Sequence, residues 1–339
     1  MTDHADRSLA PSAPHPLLQP LPGLVLAAGL ALVGFLVAGL VGSVLLSPMV
    51  VALVIGISAR NSVGVPAMFQ PGLALALRPV LRTGIVLLGF RVTFDQLAEV
   101  GLTGLAVVAA GLLATFVFTK AAGRLLGVDR SLAELIAAGT SVCGASAVLA
   151  TNTVTRGSDE DVAYSIACVT IFGSIAMISY PFLASALGFD AQTYGLWAGA
   201  SIHEVAQAVG AGFANGDVSG EAATVAKLSR VAMLAPLILG LGLLSRRGNG
   251  GETTAKAPVP WFVLGFVAAV AVNSVVPLPD ALVSGFQLAS AFMLTMALGA
   301  MGLETHVRRL RLKGGRPLLL GALAAVFMST ITALMISAL

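Results

Sequence analysis

His203 and Glu204 stand side by side in the apolar stretch "WAGASIHEVAQAVGAG" (197–212), with Ser201 just before them and Gln207 one helical turn beyond His203. Adjacent helical positions point about 100° apart, so in a membrane the two side chains cannot both face lipid cheaply and turn toward a protein or water-filled interior. An imidazole titrates near neutral pH and a carboxylate beside it shifts readily, which suits proton coupling. The plainer reading is an interhelical polar cluster in which Glu204 holds a nearby cation. Two such cations lie in "EAATVAKLSRVAMLAPLI" (221–238), where Lys227 and Arg230, three apart, share one helical face. Lys227 can snorkel outward, whereas Arg230 lies roughly 12 Å into its segment. An ionisable group near the bilayer centre costs about 2.5 to 3.5 kcal/mol on insertion scales. These cations therefore need an anion, supplied permanently by Glu204 or transiently by a passing substrate.

The third unusual stretch is "AELIAAGTSVCGASAVLATNTV" (133–154), long enough to cross a bilayer but carrying glycines, hydroxyls and a thiol at its centre. Gly139 and Gly144 each lower helix propensity by about 1 kcal/mol, and the hydroxyls of Thr140, Ser141 and Ser146 satisfy backbone groups that an interrupted helix frees. The pattern predicts a helix broken at mid-membrane, whose N–H end suits an oxyanion and whose carbonyl end suits a cation. Thr140, Ser141, Gly144, Ser146, Ser201, Lys227 and Arg230 are the expected substrate contacts. His203, Glu204, Gln207 and Asn152 form the expected coupling set. Close packing of small residues is the competing explanation, and it also covers the echo of "AGTSV" at 138 by "AGASI" at 198. Arg82, also inside a segment, is read as snorkelling to a nearby surface.

The elements that must position these residues follow from composition. The chain of 339 residues is 57% hydrophobic and 10% charged, with mean hydropathy +0.94, against roughly 25% charged residues in soluble domains. Apolar runs of bilayer length recur at 24–46, 48–59, 73–93, 98–120, 132–154, 162–187, 193–213, 222–244, 260–279, 283–303 and 317–338. This predicts an all-α, polytopic integral membrane protein with about eleven transmembrane helices. Residues 1–22, with five prolines, read as a disordered tail, and 23–339 as a single membrane domain. Cys143 and Cys168 both fall inside apolar runs, so neither a disulfide nor a metal site is expected.

Lys and Arg concentrate in alternate connections, fourteen against two, with Arg156 and Arg91 the two exceptions. The positive-inside rule then predicts a cytoplasmic N-terminus and an external C-terminus. Net charge of +3 and a pI near 9.1 express this asymmetry and give no reason to invoke nucleic acid. "GFRVTFDQLAEVG" (89–101) aligns with "GLETHVRRLRLKG" (302–314) through Gly89 and Gly302, Leu97 and Leu310, and Gly101 and Gly314. The two lie on opposite faces, as an inverted repeat requires.

"LRTGIVLLGFRVTF" (81–94), "GTSVCGASAV" (139–148), "WAGASIHEVAQAVGAG" (197–212) and "AKLSRVAMLAP" (226–236) together resemble the YeiH-type sulfate exporter family of bacterial inner-membrane proteins. The resemblance implies a permease related to the bile-acid symporter superfamily, with two inverted five-helix repeats and crossing broken helices. On that template the first segment is extra, the first repeat covers about 48–187 and the second about 193–338. This register does not set 89–101 opposite 302–314, and the template is preferred over that alignment.

The leading expectation is a secondary transporter exporting a small anion such as sulfate or sulfite across the inner membrane, with protons as coupling ion. A sodium- or proton-coupled carrier of organic anions is the alternative. A non-transporting scaffold and a membrane thiol enzyme using Cys143 and His203 are the other classes. No catalytic residue, cofactor or nucleic-acid partner is expected. The expected partners are a small inorganic or organosulfur anion, protons or sodium, and the lipid bilayer, with homo-oligomer formation left open. Nothing near Cys143 in the sequence lowers a thiol pKa. Cys143→Ser is expected to leave function intact, and loss of activity in that variant would restore the thiol-enzyme reading.

Overall fold

The computed structural model describes residues 18–41, 47–249, 260–311 and 313–338, and is all-helical over them. Most of the expected tail lies outside the described residues. Helix α1 (Leu21–Val41) and the shorter α2 (Pro48–Ser62) are followed by one crossing, Ala67–Arg91, assembled from α3 (Gln70–Leu75), a π-helical turn over Ala76–Val80, and α4 (Leu81–Leu88). The π turn contains Pro79, whose ring cannot donate a hydrogen bond and crowds the preceding turn, so the helix widens there rather than continuing as a regular coil. Helix α5 (Phe94–Leu125) bends at Gly101, and its membrane-crossing part begins there.

The next segment does not cross. Helix α6 (Arg130–Ser141) and helix α7 (Ala145–Thr155) are separated by a break at 142–144. The Thr155 hydroxyl donates to Glu134 Oε2 at 3.1 Å, although a continuous helix would hold those residues about 30 Å apart. The segment is therefore a hairpin with both ends on the same side of the molecule. After α8 (Asp159–Leu187) the motif recurs. Helices α9 (Ala191–Ser201) and α10 (Val205–Ala214) fold back so that the Tyr194 hydroxyl donates to the Ala211 carbonyl at 3.0 Å. The polytopic, all-α expectation stands. The two interrupted segments differ from it in being re-entrant hairpins, because each break reverses the chain instead of merely kinking it.

Helix α11 (Asp217–Ala232) continues through a break at Met233 into α12 (Leu234–Asn249), and α13 (Trp261–Val275), α14 (Asp280–Glu304) and α15 (Gly315–Ser337) complete the chain. With α8 as a full crossing, the hairpins enter from opposite ends. Each starts on an aspartate N-cap: Asp129 accepts from the Ser131 N–H at 2.8 Å and Asp190 from the Thr193 N–H at 2.8 Å. Those bonds, with the neighbouring hydroxyls, hold both carboxyls below the ordinary aspartate range.

Ion pairs anchor the two ends. At one end Glu134 takes Lys120 at 2.6 Å and Arg130 at 3.6 Å, and Lys313 reaches Asp161 at 2.9 Å. At the other, Arg91 bridges Asp217 and Glu221, to which Gln96 also donates. Because the first hairpin returns, Arg156 sits at the Lys120 end. In the five-plus-five register the first hairpin is the fourth segment of its half and the second hairpin the first segment of its half, so hairpin does not face hairpin. The aligned glycines, by contrast, share one backbone state: Gly101 has φ 59° and Gly314 φ 81°, each opening the next crossing.

Single cysteines test the hairpins. Arg130→Cys and Glu160→Cys are expected to react with an impermeant maleimide from one face of the membrane, and Val218→Cys from the other. Labelling of 130 and 160 from opposite faces would show a crossing helix instead.

Candidate functional site at the hairpin tips

The two hairpins meet tip to tip. The first turns at Val142 (φ −115°, ψ −86°), Cys143 and Gly144 (φ 68°, ψ −130°), and the second through the extended residues Ile202 and Glu204. Each tip exposes the last carbonyls of one half-helix and the first N–H groups of the next, which have no intrahelical partners.

The carbonyls are met by α11. Lys227 Nζ donates to the carbonyls of Val142 at 3.0 Å, Ile202 at 2.6 Å and His203 at 2.5 Å. Arg230 donates from Nε to Ser141 at 3.2 Å, from one terminal nitrogen to Thr140 at 2.7 Å, and from the other to Ile202 at 2.8 Å and Gly199 at 3.3 Å. Both side chains are fully buried. The sequence offered Glu204 or a substrate as their partner, but six backbone carbonyls from the two tips take that place. Backbone groups leave no trace in residue identity, so no sequence signal announced them.

The N–H ends are met by Glu204. Its Oε1 accepts from the Ala145 N–H at 2.6 Å, at the start of α7, while its own N–H donates to Gln207 Oε1 at 3.2 Å in a capping box on α10. Gln207 Nε2 in turn donates to the Thr170 carbonyl at 2.9 Å and to Ser174 Oγ at 3.0 Å, fixing the second tip to α8. Gly144 lies against the Glu204 carboxylate, and a Cβ there would fall on it. The positive φ and this close approach both require glycine.

The remaining expected residues divide. Ser146 is exposed to the cavity described below. The Ser141 and Ser201 hydroxyls fold back onto the carbonyls of Ala137 and Trp197, at 2.6 and 2.5 Å. Thr140 is buried and engages Arg230 through its carbonyl. His203 is buried, and neither ring nitrogen has a hydrogen-bond partner among the described residues. Asn152 lies apart from the tips, where its Oδ1 accepts from the Gly157 N–H at 2.7 Å and closes the open end of the first hairpin.

A cavity of about 890 Å³ runs from the Lys120 end to the tips. Its floor is Cys143, Ala145, Ser146, Thr170 and Glu204, and Asp159, Glu304 and Thr305 mark its outer part. Arg78 and Arg82 line its wall, with the Arg82 guanidinium 5.8 Å from the Phe262 ring. Arg82 lies nine residues short of Arg91, inside the crossing, and its side chain lines the cavity that opens at the Lys120 end. Arg78 and Thr170 were not singled out from sequence. Arg78-Pro79 inside an apolar run was the available signal for the first, since proline there marks a local break.

Residues 22–321 match the model of the family described as "Conserved hypothetical protein 698". The chain belongs to this family. A UPF0324 membrane protein of Bordetella bronchiseptica is 40% identical over 81% of this chain and 88% of its own length. A UPF0324 membrane protein of Pseudomonas aeruginosa is 39% identical over 89% and 90%, and the UPF0324 inner membrane protein YeiH of Salmonella typhi 37% identical over 88% of each. No solved structure matches the chain. These relatives are named as membrane proteins, which agrees with the apolar helices of the chain, and the YeiH-type resemblance is thereby established.

Gly144→Ala is expected to displace Glu204 and lower stability by about 2 kcal/mol or more. An unchanged melting temperature of the purified variant would show that the carboxylate is not held at this position.

Proposed function

We propose that this protein is a secondary carrier of a small oxyanion of the sulfate or sulfite class. The observation carrying the proposal is that the floor of the cavity is a helix N-terminus already holding an anion, the Glu204 carboxylate on the Ala145 N–H. Converging N–H groups and a helix dipole favour negative charge. Two buried cations, Lys227 and Arg230, stand behind it against one carboxylate at the tips, and Arg78 and Arg82 place positive charge on a cavity wall whose outer part also carries Asp159 and Glu304. Ser146 supplies a free hydroxyl beside the site.

In this reading Glu204 and the substrate compete for the start of α7. A proton on Glu204 weakens its hold on the Ala145 N–H and opens the site to the oxyanion; loss of the proton restores the tethered occupant. The unpartnered imidazole of His203 lies next in the chain and suits a relay for that proton. Lys227, Arg230 and Gln207 act by positioning the tips. The cavity is open at the end holding Lys120, Arg130, Arg156 and Lys313, while Arg91 is the sole Lys or Arg at the opposite end among the described residues. That asymmetry supports a cytoplasm-facing vestibule, a cytoplasmic N-terminus and a periplasmic C-terminus in the bacterial inner membrane. Hairpins entering from opposite ends and meeting at the centre support an inverted-repeat architecture with alternating access.

One observation favours a second reading, a carrier of organic anions. The cavity wall is rich in apolar groups, among them Leu77, Leu149, Trp261 and Phe262, and 890 Å³ exceeds what one sulfate fills. An organosulfonate would use both the polar floor and this wall.

Proteoliposomes decide between them. Saturable flux of labelled sulfate or sulfite is expected, and Ser146→Leu should abolish it without lowering the melting temperature. Arg78→Gln with Arg82→Gln should raise KM about tenfold at low ionic strength, with less effect at high salt. Flux confined to sulfonates would select the second reading, and absence of flux for both anion classes would overturn the carrier.

A further inference from the structure

We infer that Lys227 is a built-in replacement for a bound monovalent metal ion, and that this protein works without sodium. The inference rests on the carrier reading and deepens it by naming what the coupling ion is not. The C-terminal ends of two half-helices converge on one point, bringing the carbonyl oxygens of Val142, Ile202 and His203 around Lys227 Nζ at 2.5 to 3.0 Å. Unwound carbonyls and half-helix C-termini in a membrane interior are the ligands that a sodium ion uses in other carriers. Here a side chain occupies that position.

The hydrogen-bond count identifies the species. An ammonium has three donors and no acceptor, and three carbonyls take one donor each. A neutral amine has only two N–H groups and would leave one of the three oxygens facing a lone pair. The occupant is therefore a tethered cation that cannot leave. Arg230 closes the rest of the cluster on Thr140, Ser141, Gly199 and Ile202, so both helix C-termini are neutralised without a diffusible ion.

Truncating Lys227 should convert the cage into a vacant site for a small hard monovalent cation. Lys227→Ala purified in detergent is expected to gain a sodium-dependent rise in melting temperature of about 5 °C between 1 and 300 mM NaCl, with choline chloride as the control. The unsubstituted protein and Lys227→Arg, which keeps a tethered cation, are expected to show no difference between the two salts. A Lys227→Ala melting temperature indifferent to sodium would overturn the inference. Should that variant fail to fold in either salt, the unsubstituted protein decides: sodium-dependent stability or flux would overturn the inference, and equal values in both salts would support it. These melting curves do not require transport, so absence of anion flux would defeat the carrier reading alone.

Discussion

Six carbonyl oxygens at the tips of two half-helices need hydrogen-bond donors in the buried centre of the fold, and α11 supplies them from two side chains. An unsatisfied backbone group in hydrocarbon costs several kcal/mol, so neither hairpin is stable alone at this depth. Lys227 and Arg230 serve both tips together, since each donates to residues of the first hairpin and of the second. The arrangement is reciprocal: two cations that lipid would reject are accepted because the helix ends turn their carbonyls toward them. Close packing makes the reach possible. Gly195 and Gly199 on α9 lie against Ser219, Ala222, Ala223 and Ala226 of α11, which brings the two backbones near enough for the cations to extend past the end of α9.

The two polar ends of the tips are treated unequally. Their carbonyls are held by charges fixed to the chain, whereas the N–H end of α7 is held by a carboxylate whose charge depends on a proton. Two fixed side chains, Lys227 and Arg230, therefore stand behind the Glu204 carboxylate. The cavity reaches only the second of these, since Glu204, Ala145 and Ser146 line it while Lys227 and Arg230 are fully buried. In the proposed carrier, an anion in the cavity would sense the positive charge of Lys227 and Arg230 without contacting them.

The hairpins themselves are similar in construction and different in chemistry. Each begins on an aspartate cap and ends its first helix on a serine whose hydroxyl bonds the carbonyl four residues back. Their turns then diverge, Val142-Cys143-Gly144 in one and Ile202-His203-Glu204 in the other. Glycine in the first leaves room for the glutamate of the second, so the tips are complementary rather than identical. Stacking of Trp197 on Tyr180 at 3.9 Å and its hydrogen bond to the Ser329 carbonyl hold the second hairpin against α8 and α15.

Hydropathy determined the helical, membrane-embedded character of the chain and the position of its apolar segments to within a few residues, because a bilayer admits few alternatives to an apolar helix. The break within 139–146 was legible too, as was the inward placement of Glu204, Lys227 and Arg230, since glycine, hydroxyl and charge are conspicuous in such surroundings. What tertiary structure decided was direction and partnership. Whether a broken helix goes on or turns back depends on contacts such as Thr155 with Glu134, which local propensity does not encode. The identity of the groups facing Lys227 and Arg230 was likewise hidden, because every residue carries the same carbonyl and only the folded chain selects which ones converge.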